Sequence, residues 1–186
     1  MRCAWCSSEF AGRADARYCS GACRVAAHRA APPADLIALP RWIRHTAKVP
    51  TRVAGGNAST TKPGTWSSYA EARASSVGDG LGFVFAGDGI VGIDLDDCLS
   101  ESGLEPWAAE IVAACHGTYI EVSPSGRGLH VFGRGVVGSG RRLGPVEVYD
   151  RGRYFTVTMR RYRRAPLVLR DLQTVIDGLV GATAAA

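Results

Sequence analysis

The segment Thr118-Tyr-Ile-Glu-Val-Ser-Pro-Ser-Gly-Arg-Gly-Leu-His-Val-Phe132 reads as strand, tight turn, strand. Its flanks are β-branched, aromatic and apolar, while Ser123 to Gly128 gathers residues that turn a chain. Working outward, Leu81 to Ala86 and Ile90 to Asp96 are apolar β-type runs joined by Gly87-Asp-Gly89, a hairpin signal. Val146 to Asp150 and Tyr154 to Met159 are two more short β-rich runs, and Arg41 to Thr46 and Lys48 to Val53 are extended pieces. Leu104, Trp107, Ala108, Ile111, Val112 and Cys115 recur at helical spacing, Trp66 to Ser75 reads as a helix, and Leu169 to Val180 as the last one. Strands and helices mixed through hairpin-like links predict an α+β or mixed-sheet domain, not a doubly wound parallel one.

Three of these strands carry chemistry. In Gly92-Ile-Asp-Leu-Asp-Asp97 the acids Asp94 and Asp96 are two apart, so both carboxylates leave the same face of an apolar strand. Side by side they repel each other unless a hard cation such as Mg²⁺ or Mn²⁺ sits between them. The pattern alone is common, and a strand end reaching solvent with capping acids reads equally well. The turn of Ser123, Ser125, Gly126, Arg127 and Gly128 has hydroxyls, amides and a guanidinium suited to cradling a triphosphate. His130 follows on the outgoing strand as a phosphate donor or proton-transfer group, against the alternative of a satisfied core histidine. Glu147, between valines, is a third acid on a separate strand, as a two-metal site requires. Asp150 competes but abuts Arg151-Gly152 and reads as a turn residue.

Four of six cysteines fall in the first 23 residues, as Cys3-x2-Cys6 and Cys19-x3-Cys23. Two close thiolate pairs complete a tetrahedral Zn²⁺ site, and so short a segment has little core without metal. Disulfides are the alternative, and they fit poorly with a chain whose Met1 is followed by Arg and Cys instead of a secretory apolar run. His28 reads as a surface residue, and Cys98 and Cys115 as half-buried thiols. A knuckle over residues 1–30, a linker over 31–40 rich in Ala and Pro, and a main domain over 41–186 follow.

The 46% hydrophobic and 21% charged composition is that of a folded protein. No apolar run approaches the roughly 20 residues that span a bilayer, so no membrane role and a cytoplasmic location are expected. The net charge is +5, but from Arg134 to Arg164 nine arginines face only Glu147 and Asp150. That excess marks a candidate phosphate-contacting surface, or else a solvated face in an arginine-biased chain.

Gly-Ile-Asp-Leu-Asp, then Ser-Pro-Ser-Gly-Arg-Gly-Leu-His, then Val-Glu-Val-Tyr with Gly-Arg-Tyr-Phe-Thr-Val-Thr resembles the archaeo-eukaryotic primase superfamily. The nearest branch is the bifunctional primase/polymerase domain of plasmid and phage replication proteins. The likeness runs from about Pro40 to Tyr162 and takes in Lys48-Val-Pro50 and Lys62-Pro-Gly-Thr-Trp66. Arg17-Tyr-Cys-Ser-Gly-Ala-Cys-Arg24 likewise resembles short four-cysteine knuckles whose second pair opens a helix.

The resemblance implies a primase-like core, an α/β part packed on an RRM-like part with the site between them. It implies two Mg²⁺ or Mn²⁺ ions on Asp94, Asp96 and Glu147, with His130 on the incoming nucleotide. Arg127 and Arg153 are the arginines expected near the site, and Arg160, Arg161, Arg163 and Arg164 the outer contacts to nucleic acid. The expected activity is template-directed nucleotidyl transfer from nucleoside triphosphates on single-stranded DNA, alongside a separately encoded replicative helicase. Two departures stand out: Gly128 where the superfamily has serine, and Met159 where relatives often have glycine. A non-catalytic zinc-containing module that positions DNA for other replication proteins is the rival reading, and a repair nucleotidyltransferase a third.

Overall fold

The computed structural model describes residues 1–3, 5–6 and 8–181. In chain order these form α1 (Gly21–Arg29), α2 (Ala34–Ile37), β1 (Trp42–Thr46), β2 (Val49–Thr51), α3 (Tyr69–Ala74), β3 (Gly80–Ala86) and β4 (Ile90–Leu95). A small hairpin of β5 (Leu99–Ser100) and β6 (Gly103–Leu104) leads to α4 (Pro106–Ala114). Then come β7 (Tyr119–Val122), β8 (Leu129–Arg134), β9 (Arg141–Leu143), β10 (Val146–Tyr149), β11 (Arg151–Val157) and α5 (Gln173–Gly181). One sheet has the order β11-β3-β1-β2 and a second the order β7-β8-β4-β10-β9, with every named strand pair antiparallel. The architecture is α+β.

Period-two alternation in the five-stranded sheet decides what each face meets. Val91, Ile93, Leu95, Ile120, Leu129, Val131, Val146 and Val148 point to one side, where they pack with Ala108 of α4 and Leu172 and Ile176 at α5. The alternate residues Tyr119, Phe132 and Tyr149 join Phe83, Phe85 and Phe155 of the four-stranded sheet. The result is three layers: four-stranded sheet, five-stranded sheet, helices.

Gly92 lies where the two sheets press closest. A Cβ there would come within 2.4 Å of Phe85 Cζ and 2.5 Å of Phe155 Cε2. Gly92→Ala therefore overpacks the junction and is expected to cost about 1–3 kcal/mol. Thermal unfolding should show it as a drop of roughly 2–12 °C.

Element boundaries depart from the expected ones where long-range contacts capture the chain. The helix expected from Leu169 begins at Gln173, because Arg170 and Leu172 exchange backbone hydrogen bonds with Arg134 at the end of β8, and Asp171 Oδ1 then accepts from Gln173 N. The helix expected from Trp66 begins at Tyr69: Ser67 pairs with Trp42 instead, and Ser68 and Glu71 form a capping box. Leu104 pairs with Leu99, so α4 starts at Pro106. Residues 31–40, expected as linker, carry α2, bury Leu36 completely and place its carbonyl on Trp42 Nε1. Of the main domain expected over 41–186, residues 182–186 lie outside the described residues.

Candidate active site

Antiparallel register turns three separate motifs into one row. Glu121 of β7 stands opposite His130 of β8, His130 opposite Asp94 of β4, and Asp94 opposite Glu147 of β10, with Arg142 of β9 next. All lie on the face that meets the four-stranded sheet, one pleat beyond the aromatic row of Tyr119, Phe132 and Tyr149. Asp96, the first residue past β4, is exposed and held by its backbone N–H on the Pro145 carbonyl.

Glu121 is fully buried at 0% exposure. Its carboxylate accepts from Tyr119 Oη at 2.7 Å, Thr158 N at 2.9 Å and Met159 N at 2.8 Å. It also lies 3.5 Å from His130 Nδ1. Glu121 was absent from the residues singled out in the sequence, although an acid flanked by apolar strand residues is the same signal that marked Glu147. The network explains Met159, whose φ of 59° is the left-handed conformation usual for glycine. Its N–H is fixed by Glu121 while its sulfur sits 3.6 Å from Tyr69 Oη and Arg73 Nη1. Glu121→Ala would leave three donors without an acceptor, at about 1–3 kcal/mol each. A fall in melting temperature of roughly 6 °C or more is expected on thermal unfolding.

His130 is buried, with Nδ1 3.0 Å from the Thr156 carbonyl and Nε2 3.7 Å from Asp94 Oδ1. Since a carbonyl only accepts, Nδ1 carries a proton. Burial works against a charged ring, but Glu121, Asp94 and the Thr156 carbonyl outweigh it and hold the pKa above the ordinary histidine value. For Asp94, burial pushes the pKa up and Asp96 and Glu147 add to the shift, while His130 and Lys48 oppose it. Lys48 is thus a second group that the sequence candidates omitted. It is exposed in the β1–β2 turn, where Ala47 and Lys48 both adopt positive φ, and Tyr154 Oη donates to its carbonyl at 2.7 Å.

Asp94 Oδ1 is buried without a hydrogen-bond partner. Glu147 accepts from Tyr149 Oη at 3.0 Å and pairs with Arg142 at 3.2 Å. An unpartnered carboxylate oxygen with Glu147 opposite and Asp96 two residues on is donor chemistry that suits a hard divalent cation such as Mg²⁺ or Mn²⁺, although among the described residues the only set of three or more ligand atoms that converges is that of the four cysteines. Asp150, the competitor, is buried away from the row and accepts from Val137 N, Gly138 N and the Arg151 guanidinium.

The Ser123–Gly128 turn packs against the end of β4, with Leu99 N donating to the Arg127 carbonyl. Its amides are committed internally. Gly126 N donates to Ser123 O, Arg127 N to Ser125 Oγ and Gly128 N to Ser123 Oγ. What faces outward is Ser125 and Arg127, the latter paired at 2.7 Å with Asp97, whereas Ser123 is buried with its hydroxyl 3.0 Å from that of Ser125. Gly128 is required by packing: a Cβ would lie 2.8 Å from the Leu95 carbonyl. Arg153 stacks over Tyr149 at 5.1 Å. Arg161, Arg163 and Arg164 are exposed, whereas Arg160, expected as an outer contact, is half-buried and donates to the Ser123 carbonyl. Its proximity to Ser123 and Glu121 turns it inward.

At the N-terminus, Cys3, Cys6, Cys19 and Cys23 bring their sulfurs within 4.8 Å of one another. Cys19 Sγ is 3.5 Å from both Cys6 Sγ and Cys23 Sγ. A tetrahedron with Zn–S of about 2.3 Å has edges of about 3.8 Å, so the spacing fits Zn²⁺ and is too long for a disulfide. Hydrogen bonding with Cys23, Cys6 and Cys3 pushes the Cys19 thiol up to about 12, while at Cys3 burial is outweighed by backbone hydrogen bonds at Cys6 and Cys19, which bring the thiol down to about 6. Ser20 caps α1 by accepting from Cys23 N, and Cys19 N donates to Cys3 Sγ at 3.3 Å. Cys98 and Cys115, read as half-buried, are fully buried, and burial drives their thiols up to about 11 and about 12.

A DNA primase-polymerase of Nitratiruptor phage NrS-1 is 38% identical to this chain over 120 residues. The likeness is to a primase-polymerase. It covers 56% of the chain and 16% of the phage protein, so the chain spans about a sixth of that relative's length. No family model matches. Among the described residues no helix is long and apolar enough to cross a membrane.

Proposed function

We propose that this chain is a DNA primase/polymerase domain that transfers nucleotides from nucleoside triphosphates onto a DNA-templated chain, in phage, prophage or plasmid replication. The observation that carries the reading is the cross-strand row: three motifs far apart in sequence place Glu121, His130, Asp94 and Glu147 in register. On this reading the core is primase-like, with the site on the sheet face between its α/β and RRM-like parts. Asp94, Asp96 and Glu147 hold two Mg²⁺ or Mn²⁺ ions. When bound, the ions activate a 3′-hydroxyl and neutralise the charge of the departing pyrophosphate.

The chain's own residues do the rest. Glu121 and Thr156 fix the His130 ring, so that Nε2 offers its proton to a phosphate oxygen of the incoming nucleotide. Ser123, Ser125, Gly126, Arg127 and Gly128 hold the triphosphate through the serine hydroxyls and Arg127, and Arg153 and Lys48 approach it from the facing sheet. The template is single-stranded DNA, a replicative helicase is supplied by another chain, and the location is cytoplasmic.

The test is primer extension and de novo synthesis on single-stranded DNA with Mg²⁺ or Mn²⁺, comparing the natural chain with an Asp94→Ala/Asp96→Ala variant. Metal-dependent products that disappear in the variant are expected. Binding of DNA without products in either metal would instead favour a non-catalytic module that positions DNA.

A further inference from the structure

Where the knuckle meets the main domain, a groove of about 510 Å³ runs between Arg2, Trp5, Cys6 and Ser8 on one side and Ser125, Gly126 and Arg127 of the turn on the other. Its walls include Arg2, Trp5, Ser125, Arg127, Arg160 and Arg161, and among the described lining residues there is no acid. Four guanidinium groups lining one groove make it electropositive and favour an anionic ligand. Arg2 and Arg161 are exposed; Arg2 lies 4.0 Å from the exposed Glu9 and Arg127 2.7 Å from the exposed Asp97. Trp5 is half-buried, which leaves part of the indole open to the groove.

An aromatic ring among arginines matches a base and its flanking phosphates, because every base has a face to stack and each phosphate a charge to pair. Arg163 and Arg164, two and three residues after Arg161 in the chain, are also exposed, on a turn where both have positive φ. A ligand that uses the whole stretch needs several phosphates in series.

We infer that this groove is a second nucleic-acid site, separate from the acid row, that grips single-stranded DNA by stacking a base on Trp5 and pairing its phosphates with Arg2, Arg127 and Arg161. It rests on the DNA-synthesis reading for the class of its ligand, and on the groove itself for its place. The turn is shared: Ser125, Gly126 and Arg127, assigned above to the triphosphate, also line the groove. The zinc knuckle thereby has a task beyond stability, since it supplies one wall.

The experiment measures binding apart from synthesis. The full, zinc-loaded chain is titrated against a fluorescently labelled single-stranded dT oligonucleotide without Mg²⁺ or Mn²⁺, and anisotropy is read across a salt series. Trp5→Ala should weaken binding about 5- to 150-fold, and Trp5→Phe should recover much of the loss because a ring still stacks. Arg2→Ala and Arg161→Ala should each flatten the slope of log K against log salt by about 0.7. Arg13→Ala, an equal charge change on the knuckle outside the groove, should leave the Trp5-dependent affinity in place. Zinc content and melting temperature check that each variant is folded, and Trp5→Phe decides the matter should Trp5→Ala lose zinc.

Binding that is the same in Trp5→Phe, Trp5→Ala and the natural chain, with unchanged salt slopes, would overturn the proposal. So would a free nucleoside triphosphate that displaces the oligonucleotide through Trp5 as effectively as unlabelled dT oligonucleotide does. Synthesis is read separately in the metal-dependent product assay, so a failure of the synthesis reading shows there and a failure of the groove shows here.

Discussion

Asp94→Asn is expected to lower metal-dependent nucleotide incorporation by about a thousandfold or more while making the protein more resistant to heat. Both effects come from one carboxylate. Asp94 is flanked by Glu147 across the strand and Asp96 two residues on, and its Oδ1 is buried without a hydrogen bond. Removing its charge removes the central ligand of the proposed ions, and a metal's share of transition-state stabilisation is several kcal/mol.

The sign of the stability effect follows from its pKa. Burial, with Asp96 and Glu147, holds the Asp94 pKa above the unfolded value near 3.9. The folded protein therefore keeps the Asp94 proton to higher pH than the unfolded chain does. Its contribution is most favourable below the unfolded pKa and is lost as pH rises through the folded one, so at pH 7 the ionised group is a net liability. Asparagine does not titrate, and each kcal/mol of relieved repulsion should raise the melting temperature by about 2–4 °C at pH 7, with the advantage shrinking towards pH 4. Adding Mn²⁺ should raise the melting temperature of the natural chain and leave the variant nearly unmoved. A variant that melts earlier than the natural chain at pH 7 without metal would contradict the argument.

Chelation of zinc should unfold residues 1–30 and leave the main domain standing. Helix α1 has no buried residue, and neither apolar cluster of the main domain includes a knuckle side chain. The apolar effect therefore gives this segment little, and the metal supplies most of its folding free energy, roughly 10–16 kcal/mol for a structural zinc site at neutral pH. A strong chelator or Cys19→Ser should abolish the helical signal of α1 and open the segment to protease, while the melting of the main domain stays nearly the same. On the groove proposal, the same treatment removes Trp5-dependent binding of single-stranded DNA. Loss of the main domain's cooperative transition along with the zinc would show that the two parts fold as one.

By itself the sequence determined the strands on either side of Ser123–Gly128, the pairing of Asp94 with Asp96, the isolation of Glu147 among valines and the four-cysteine cluster. These are local facts. Alternation says which residues share a face of one strand, and cysteine spacing says which thiols can meet, whatever the rest of the chain does. Glu121 carried a comparable local signal and Lys48 none, and what they act on lies across the sheet or on the opposing one, a distance that no spacing along the chain states.

Only the tertiary structure decided that Glu121, His130, Asp94 and Glu147 form one row, because register between strands separated by turns and a helix depends on how whole faces bury their apolar side chains. The same long-range pairing held Leu169–Leu172 extended against Arg134, although their own pattern reads as helix. It also turned Arg160 inward and left Arg161 outward, a division that equal charges side by side in a sequence do not reveal. Charge and periodicity are properties of the chain, whereas which charges meet is a property of the packed sheets.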